Sequence, residues 1–341
     1  MSEYKVSIIM PVFNAEKYLR DSLDSIVSQS IGVENIEVVI VNDASTDSSA
    51  SIIDEYCERY PNFKAIHLAE NCGAPHEPRN IAFTHTTADY IMFLDADDTY
   101  TPTACEALYN EISSSGADVA VGRYWRVYDD CRFISYSPYD SRDNDIRTYP
   151  KFPPVLGFIW TRILYPILYG KALEYSDRVV IEDVKTDPAI LKMLPAIWTK
   201  IVRREKFAEF KKFTAGEDLN FVLDVFFNSK IVLLNDEVIV NYSMRFDGDL
   251  SITKNIKFQL VLDTIKSYRQ AIEKCNLEGM EDVSTMINPF LVNYINLLRQ
   301  GDFTQSEKKE LHDEISAIDD IYKNKGIMGF ALVKLIRILS R

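Results

Sequence analysis

The stretch IMFLDADDTY, residues 91–100, runs four apolar residues into three carboxylates, Asp95, Asp97 and Asp98, with one alanine between the first two. Carboxylates at i and i+2 beyond a strand end can face one ligand where the chain turns. Hard cations such as Mg2+ or Mn2+ take such oxygens and complete their shell with substrate phosphates. Asp95 and Asp97 are therefore candidates for a metal and diphosphate site. The competing reading is a helix start, with Thr101 as N-cap and Pro102 as first helical residue. Taken alone, the two readings balance.

Residues after other apolar runs tip that balance. Arg79, in EPRN, is the basic residue among these loops, and its planar fork suits a pair of phosphate oxygens. Asp43, in VNDASTDSS, has the acceptor that a base edge needs, or else it caps a helix starting near Thr46. Pro11 and Phe13 offer a flat apolar surface for a base, or else they pack a strand end, with Asn14 as the next N-cap. Each signal is weak singly; their co-location carries the weight.

Such residues need a scaffold that gathers strand ends. From Lys5 the pattern alternates: strand KVSIIM, a helical period over AEKYLRDSLDSIVSQ, strand IEVVIV, a helix from about Ser48 to Tyr60, strand FKAIHL, a helix near Pro78–His85, strand YIMFL, a helix from Pro102 to about Ser114, and strand DVAVG. This alternation predicts an α/β fold, a mostly parallel sheet flanked by helices, with ligands outside the carboxyl ends of the strands. There is no GxGxxG after the first strand and no GxxxxGK[ST], which disfavours a dinucleotide fold and a P-loop. Regularity fades beyond Gly122 and returns at LPAIWTKIVRREKF, FTAGEDLNFVLDVFFNSK and the strand IVLLNDEVIVNYSM. Arg203, Arg204 and Lys206 are left without a role, since a solvated basic helix face explains them equally well. From Lys257 onward the pattern is helical, so the expected division is a catalytic domain over 1–255 and a helical appendage over 256–341.

A chain of 341 residues with 47% hydrophobic and 26% charged content can bury a core. Its net charge of −13 disfavours a nucleic-acid partner. Five scattered cysteines without a CxxC pair fit a reducing compartment, and MSEYKVSIIMPVF offers no cleavable small-residue site, so the cytoplasm is the expected location. Three prolines and Arg162 within Phe152–Gly170 count against a bilayer span there.

Together SIIMPVFNAEKYLRDSLDSI, VIVNDASTDSS, NCGAPHEPRN, FLDADD and GEDLNF resemble the family 2 glycosyltransferases of GT-A fold, inverting enzymes that use nucleotide sugars to build bacterial surface polysaccharides. The resemblance spans roughly residues 4–250. NCGAPHEPRN and the helical tail are similar to the wall teichoic acid glycosyltransferases. The resemblance implies that Pro11, Phe13, Asp43, Asn71 and Arg79 line the nucleotide diphosphate pocket. It makes Asp95 and Asp97 the metal-linked pair, for Mn2+ or Mg2+, with Asp95 also at the nucleotide, and Asp218 the catalytic base. An inverting transfer needs one carboxylate near the acceptor hydroxyl, opposite the departing diphosphate. Gly216 permits a tight turn that lets Asp218 open a helix at the cleft edge; the alternative is a plain N-cap. Glu217, Trp198, Lys200 and Arg245 are implied near acceptor or diphosphate, Arg245 on a loop closing over the latter.

The implied reaction moves a sugar from a nucleotide diphosphate, with UDP the expected nucleotide, to a hydroxyl of a surface glycan or polyol phosphate. Absence of QxxRW favours one sugar per encounter. A nucleotidyltransferase and a non-catalytic carbohydrate-binding protein are the alternatives. In GFALVKLIRILSR, Lys334, Arg337 and Arg341 share one helical face opposite leucines and isoleucines. Two readings stay open for residues 326–341: peripheral contact with an anionic inner leaflet, or docking on the chain's own helices or a sister subunit in a homo-oligomer. Co-sedimentation with anionic vesicles separates them, since truncation after residue 325 abolishes pelleting on the first reading and leaves it unchanged on the second.

Overall fold

The computed structural model describes residues 3–127, 132–135, 179–185, 196–243, 258–280 and 303–322. The expectations for Cys131, Phe152–Gly170, Arg245, the boundary at 255/256 and residues 326–341 lie outside them.

Four parallel strands begin the fold: β1 (Val6–Val12), β2 (Ile36–Asn42), β3 (Phe63–His67) and β4 (Tyr90–Phe93). VSIIMPV and IEVVIVN are rich in β-branched residues and buried almost throughout, as strands covered on both faces must be. Helix α1 (Leu19–Val27) buries Leu19, Ser22, Leu23 and Ile26, one face at helical spacing, and α2 (Ser49–Arg59) does the same with Ile52, Ile53 and Tyr56. The chain then returns across β1 through α3 (His76–Thr84), which packs on β1 and β2. This reversal makes the gap between β1 and β4 a topological switch point, where adjacent strand ends lead to opposite sides of the sheet.

Beyond β4 the sheet mixes directions. A short β5 (Thr99–Tyr100) and α4 (Ala104–Ser115) precede β6 (Val119–Val127), with β7 (Arg132–Ser135) paired to it. After β8 (Val179–Ile181), β9 (Lys200–Arg203) inserts antiparallel between β4 and β6, and β10 (Ile231–Ser243) runs parallel to β6. Among the described residues the order is β3-β2-β1-β4-β9-β6-β10-β5, with β8 paired to β10. Helix α5 (Glu217–Phe226) packs against α6 (Phe258–Leu277), and α6 against α7 (Gln305–Tyr322). No helix among the described residues is long and apolar enough to cross a membrane.

Three local expectations are corrected. Asn14 does not cap α1, which Tyr18 precedes; its Oδ1 instead accepts the Thr46 N–H. Thr101 and Pro102 do not start α4, which follows Thr103, because the Thr101 hydroxyl donates to Val238 O. Arg203, Arg204 and Lys206 lie on no helix face of the expected kind: Arg203 ends β9 and the other two belong to a single 3-10 turn.

Candidate functional site

Parallel register brings the strand ends side by side. Ile9 pairs with Phe93, the last residue of β4, while on the other side Pro11 pairs with Val41 and Val12 with Asn42. The loops after β1 and β2 are stitched together by side chains. Asn14 N–H donates to Ser45 Oγ, Ala15 N–H to Ser49 Oγ, Glu16 N–H to Asp47 Oδ2 and Ser48 N–H to Glu16 Oε2. Asn14 and Ala44 hold positive φ angles of 48° and 53°, a conformation costly for non-glycine residues and one that such stitching sustains.

Asp43 is buried and fixes the next loop: its Oδ1 accepts Cys72 N–H at 2.8 Å and its Oδ2 accepts Asn71 Nδ2 at 3.0 Å. It caps no helix, since α2 follows Ser48 with no side-chain cap. Asp43 and Asn71 are thus brought together, while Phe13 stays 49% exposed beside them, a face open for stacking rather than a packed strand end.

The centre of the arrangement is Arg79, on α3 and 3% exposed. Its Nη1 donates to Glu217 Oε1 at 3.0 Å and Asp218 Oδ1 at 2.8 Å, and its Nη2 to Asp95 Oδ1 at 2.9 Å. The fork expected at a phosphate therefore ends on carboxylates. One face of the guanidinium lies 5.4 Å from the Phe210 ring centroid, and Asn80 fastens Phe210 by hydrogen bonds to its backbone N–H and C=O. Gly216, at φ 84°, supplies the left-handed turn that swings Glu217 and Asp218 into the site. Asp218 is no N-cap: it lies inside the first turn of α5, its carboxylate on Arg79.

Burial raises the Asp218 carboxyl well above the ordinary range, opposed by Arg79 and reinforced by the like charges of Glu217 and Asp95. A carboxylate so placed is a stronger base than a solvated one. Glu217 is buried against Arg79 and Asp95 keeps 31% exposure, so Asp95 and Asp218, at 21%, form the open side of the cluster. Asp97 is exposed, whereas Asp98 is buried with Oδ1 accepting Ser243 N–H. Asp95 gives Oδ1 to Arg79 and Asp97 is exposed, so a hard cation here would find few protein oxygens. Among the described residues no group of three or more His, Cys, Asp or Glu could hold a metal alone, so such an ion would rely on substrate oxygens.

Trp198 and Lys200 lie beneath this surface, both buried. Trp198 stacks on Tyr242 with centroids 5.0 Å apart and meets Tyr124 edge-on. Tyr242, which the sequence reading passed over, ends β10 near the acidic cluster: burial, then Asp98, Asp97 and Asp95, push its phenol up. Its place at a strand end, like that of the residues following β1–β4, is its signal in the sequence. Lys200 Nζ donates to Ala196 O at 2.6 Å and Thr199 Oγ1 at 3.2 Å, and burial pushes its ammonium down to about 7 against the pull of Asp218.

Two outcomes follow for stability. Arg79→Leu strands three carboxylates and lowers unfolding stability by about 3–5 kcal/mol at pH 7; urea melts of wild type and variant measure this. Folded Lys200 loses its proton near pH 7 while the unfolded chain holds it to about 10.5, so this residue makes stability rise with pH above 7. Between pH 7 and 8.5 the urea midpoint of the wild type should gain on that of Lys200→Met.

Residues 7–167 match the model of "Glycosyl transferase family 2". Poly(ribitol-phosphate) beta-glucosyltransferase of Bacillus spizizenii is 37% identical over 119 residues, 35% of this chain and 19% of that protein. Glycosyltransferase GlyG of Streptococcus pneumoniae is 25% identical over 308 residues, 88% of each chain. The chain spans less than a third of the length of three of the curated relatives it matches, the Bacillus spizizenii protein among them. Residues 1–349 of S. aureus TarS, solved in complex with UDP, share the fold: TM-score 0.66 at 18% identity, over 98% of this chain and 87% of that one. The architecture is accordingly GT-A-like, and residues 7–167 carry the likeness to glycosyl transferase family 2.

Proposed function

We propose that this chain transfers a sugar from a nucleotide diphosphate donor, UDP being the expected nucleotide, to a hydroxyl of a bacterial surface glycan or polyol phosphate, with inversion and one sugar per encounter. The carrying observation is the meeting of Asp95, Glu217 and Asp218 on Arg79 at the switch-point end of the sheet. Support for the donor comes from UDP in the TarS complex, and for a polyol phosphate acceptor from the poly(ribitol-phosphate) activity in the name of the Bacillus spizizenii protein.

On this reading Phe13 and Pro11 flank the base, and Asp43 and Asn71 shape the pocket wall beside it. Asp95 and Asp97 would hold Mn2+ or Mg2+, which when bound supplies positive charge to the departing diphosphate. Asp218 takes the proton from the acceptor hydroxyl as its oxygen attacks the sugar carbon from the face opposite the diphosphate, breaking the sugar–phosphate bond. Arg79 keeps Asp218 and Asp95 at fixed separation, so base and donor ends of the cleft stay aligned. Partial burial of the base raises its proton affinity.

The test is calorimetric titration of UDP, GDP and TDP with and without Mn2+, on wild type and Asp97→Asn, followed by assay of nucleotide diphosphate release with a poly(ribitol phosphate) acceptor. Metal-dependent binding of one nucleotide, weakened in Asp97→Asn, supports the donor site; no nucleotide binding at all overturns the reading. Asp218→Asn should bind nucleotide normally yet lose about 10²–10⁴-fold in kcat. In the wild type kcat/KM should climb with pH through an inflection above the ordinary aspartate value, because the base acts deprotonated.

A further inference from the structure

The turn that carries Glu217 and Asp218 is fastened from outside the family-matched segment. Ser267, fully buried on α6, donates its hydroxyl proton to Gly216 O at 2.6 Å and accepts Asn220 Nδ2 at 2.7 Å; Asn220 Nδ2 also reaches Ser267 O at 3.1 Å. Gly216 immediately precedes α5 and Asn220 lies in its first turns, so one hydroxyl grips both sides of the Glu217–Asp218 pair. One turn earlier on α6, Asp263 Oδ2 accepts the Thr214 N–H at 2.9 Å and the Thr214 hydroxyl at 2.7 Å. The fit is close: a Cβ at Gly216 would stand 2.9 Å from Ser267 Oγ and 3.0 Å from its Cβ.

We infer that α6 is part of the catalytic apparatus, with Ser267 and Asp263 as positioning residues that hold the 214–220 turn and thereby the Asp218 carboxylate. This deepens the proposed function and rests on it for the identity of the base. The argument is one of backbone valence. Gly216 is the N-cap of α5 in a left-handed turn, and its carbonyl has two lone pairs, one for the helix and one that a partner drawn from elsewhere can fill. Ser267 is that partner, and Asp263 satisfies the N–H and hydroxyl of Thr214. Arg79 alone pulls Asp218 inward by its side chain, and α6 resists that pull through the backbone. A helix that served only to join subunits would have no need of side-chain bonds directed at this turn.

The experiment uses the full chain with Ser267→Ala and, because Ser267 is buried, the half-exposed Asp263→Ala as a variant less prone to misfold. UDP binding by calorimetry should stay within about twofold of wild type, since the nucleotide loops are untouched, while kcat falls about tenfold, the scale of a modest loss of alignment. The acid-side inflection of kcat/KM should move down toward the ordinary carboxylate range as the loosened turn admits water to Asp218, whose charged neighbours Arg79, Asp95, Glu217 and Lys200 remain. Amide hydrogen exchange should quicken at Asn220–Leu223 with β1 and β2 unchanged, and Asp263→Asn, which keeps an acceptor oxygen, should restore wild-type behaviour. Wild-type kcat and exchange in both alanine variants would overturn the inference, as would loosening spread evenly through the chain. A wild type that neither binds UDP nor transfers would sink the proposed function instead, leaving the exchange result to judge the clamp.

Discussion

One guanidinium shared by three carboxylates governs the geometry of this molecule's cleft. Removing a charge of either sign from water costs several kcal/mol, and the cost is recovered only where partners are close and well directed. Arg79 meets that condition by drawing together a helix that crosses the sheet, the end of a central strand and the start of a distant helix. Its aromatic floor, Phe210 stacked on Phe221 at 4.1 Å, excludes water from the other side. With three acids to one base, full ionisation would leave net negative charge in a buried space. Burial first, and then that imbalance, raises the proton affinity of Asp218.

The β1–β2 side of the cleft is built by other means. Parallel strands deliver their carboxyl ends at one level, and two loops interlock through Asn14, Ser45, Asp47 and Ser49 instead of through regular secondary structure. Positive φ angles at Asn14 and Ala44 show that backbone comfort yields to placement here. The antiparallel insertion of β9 next to β4 then turns the far half of the sheet into a wall, lined by Trp198, Tyr124 and Tyr242, that backs the acidic cluster.

The first half of the fold is legible in the sequence because its signals are local: apolar runs of strand length, helical periods between them, polar loops at each carboxyl end. The same cues mark Asp43, Arg79, Asp95 and Asp97 as candidates, while Asp218 comes from the family resemblance of GEDLNF. Misreadings arise where a side chain that suits a cap is claimed by a distant group, as Asn14 is by Thr46 and Thr101 by Val238. KIVR is too short for its period to distinguish strand from helix, and only pairing with β4 and β6 decides it. The partners of Arg79 and the grip of Ser267 on Gly216 leave no trace in composition or spacing. Serine on an amphipathic helix looks like an ordinary polar residue until another helix packs on it.

The ion pair between Arg79 and Asp218 joins residues 139 positions apart, and the bond between Gly216 and Ser267 joins residues 51 apart. Contacts of such sequence separation close large loops, whose entropy must be met before the contact contributes. The β1–β2 and β2–β3 pairs, by contrast, join strands close in the chain, as Val6 with Ile36 and Val38 with Phe63. During synthesis from the N-terminus, the strands can therefore pair while Arg79 still lacks two of its three partners. The catalytic half would then be the last part of the molecule to acquire its native order, completed only after α6 has emerged.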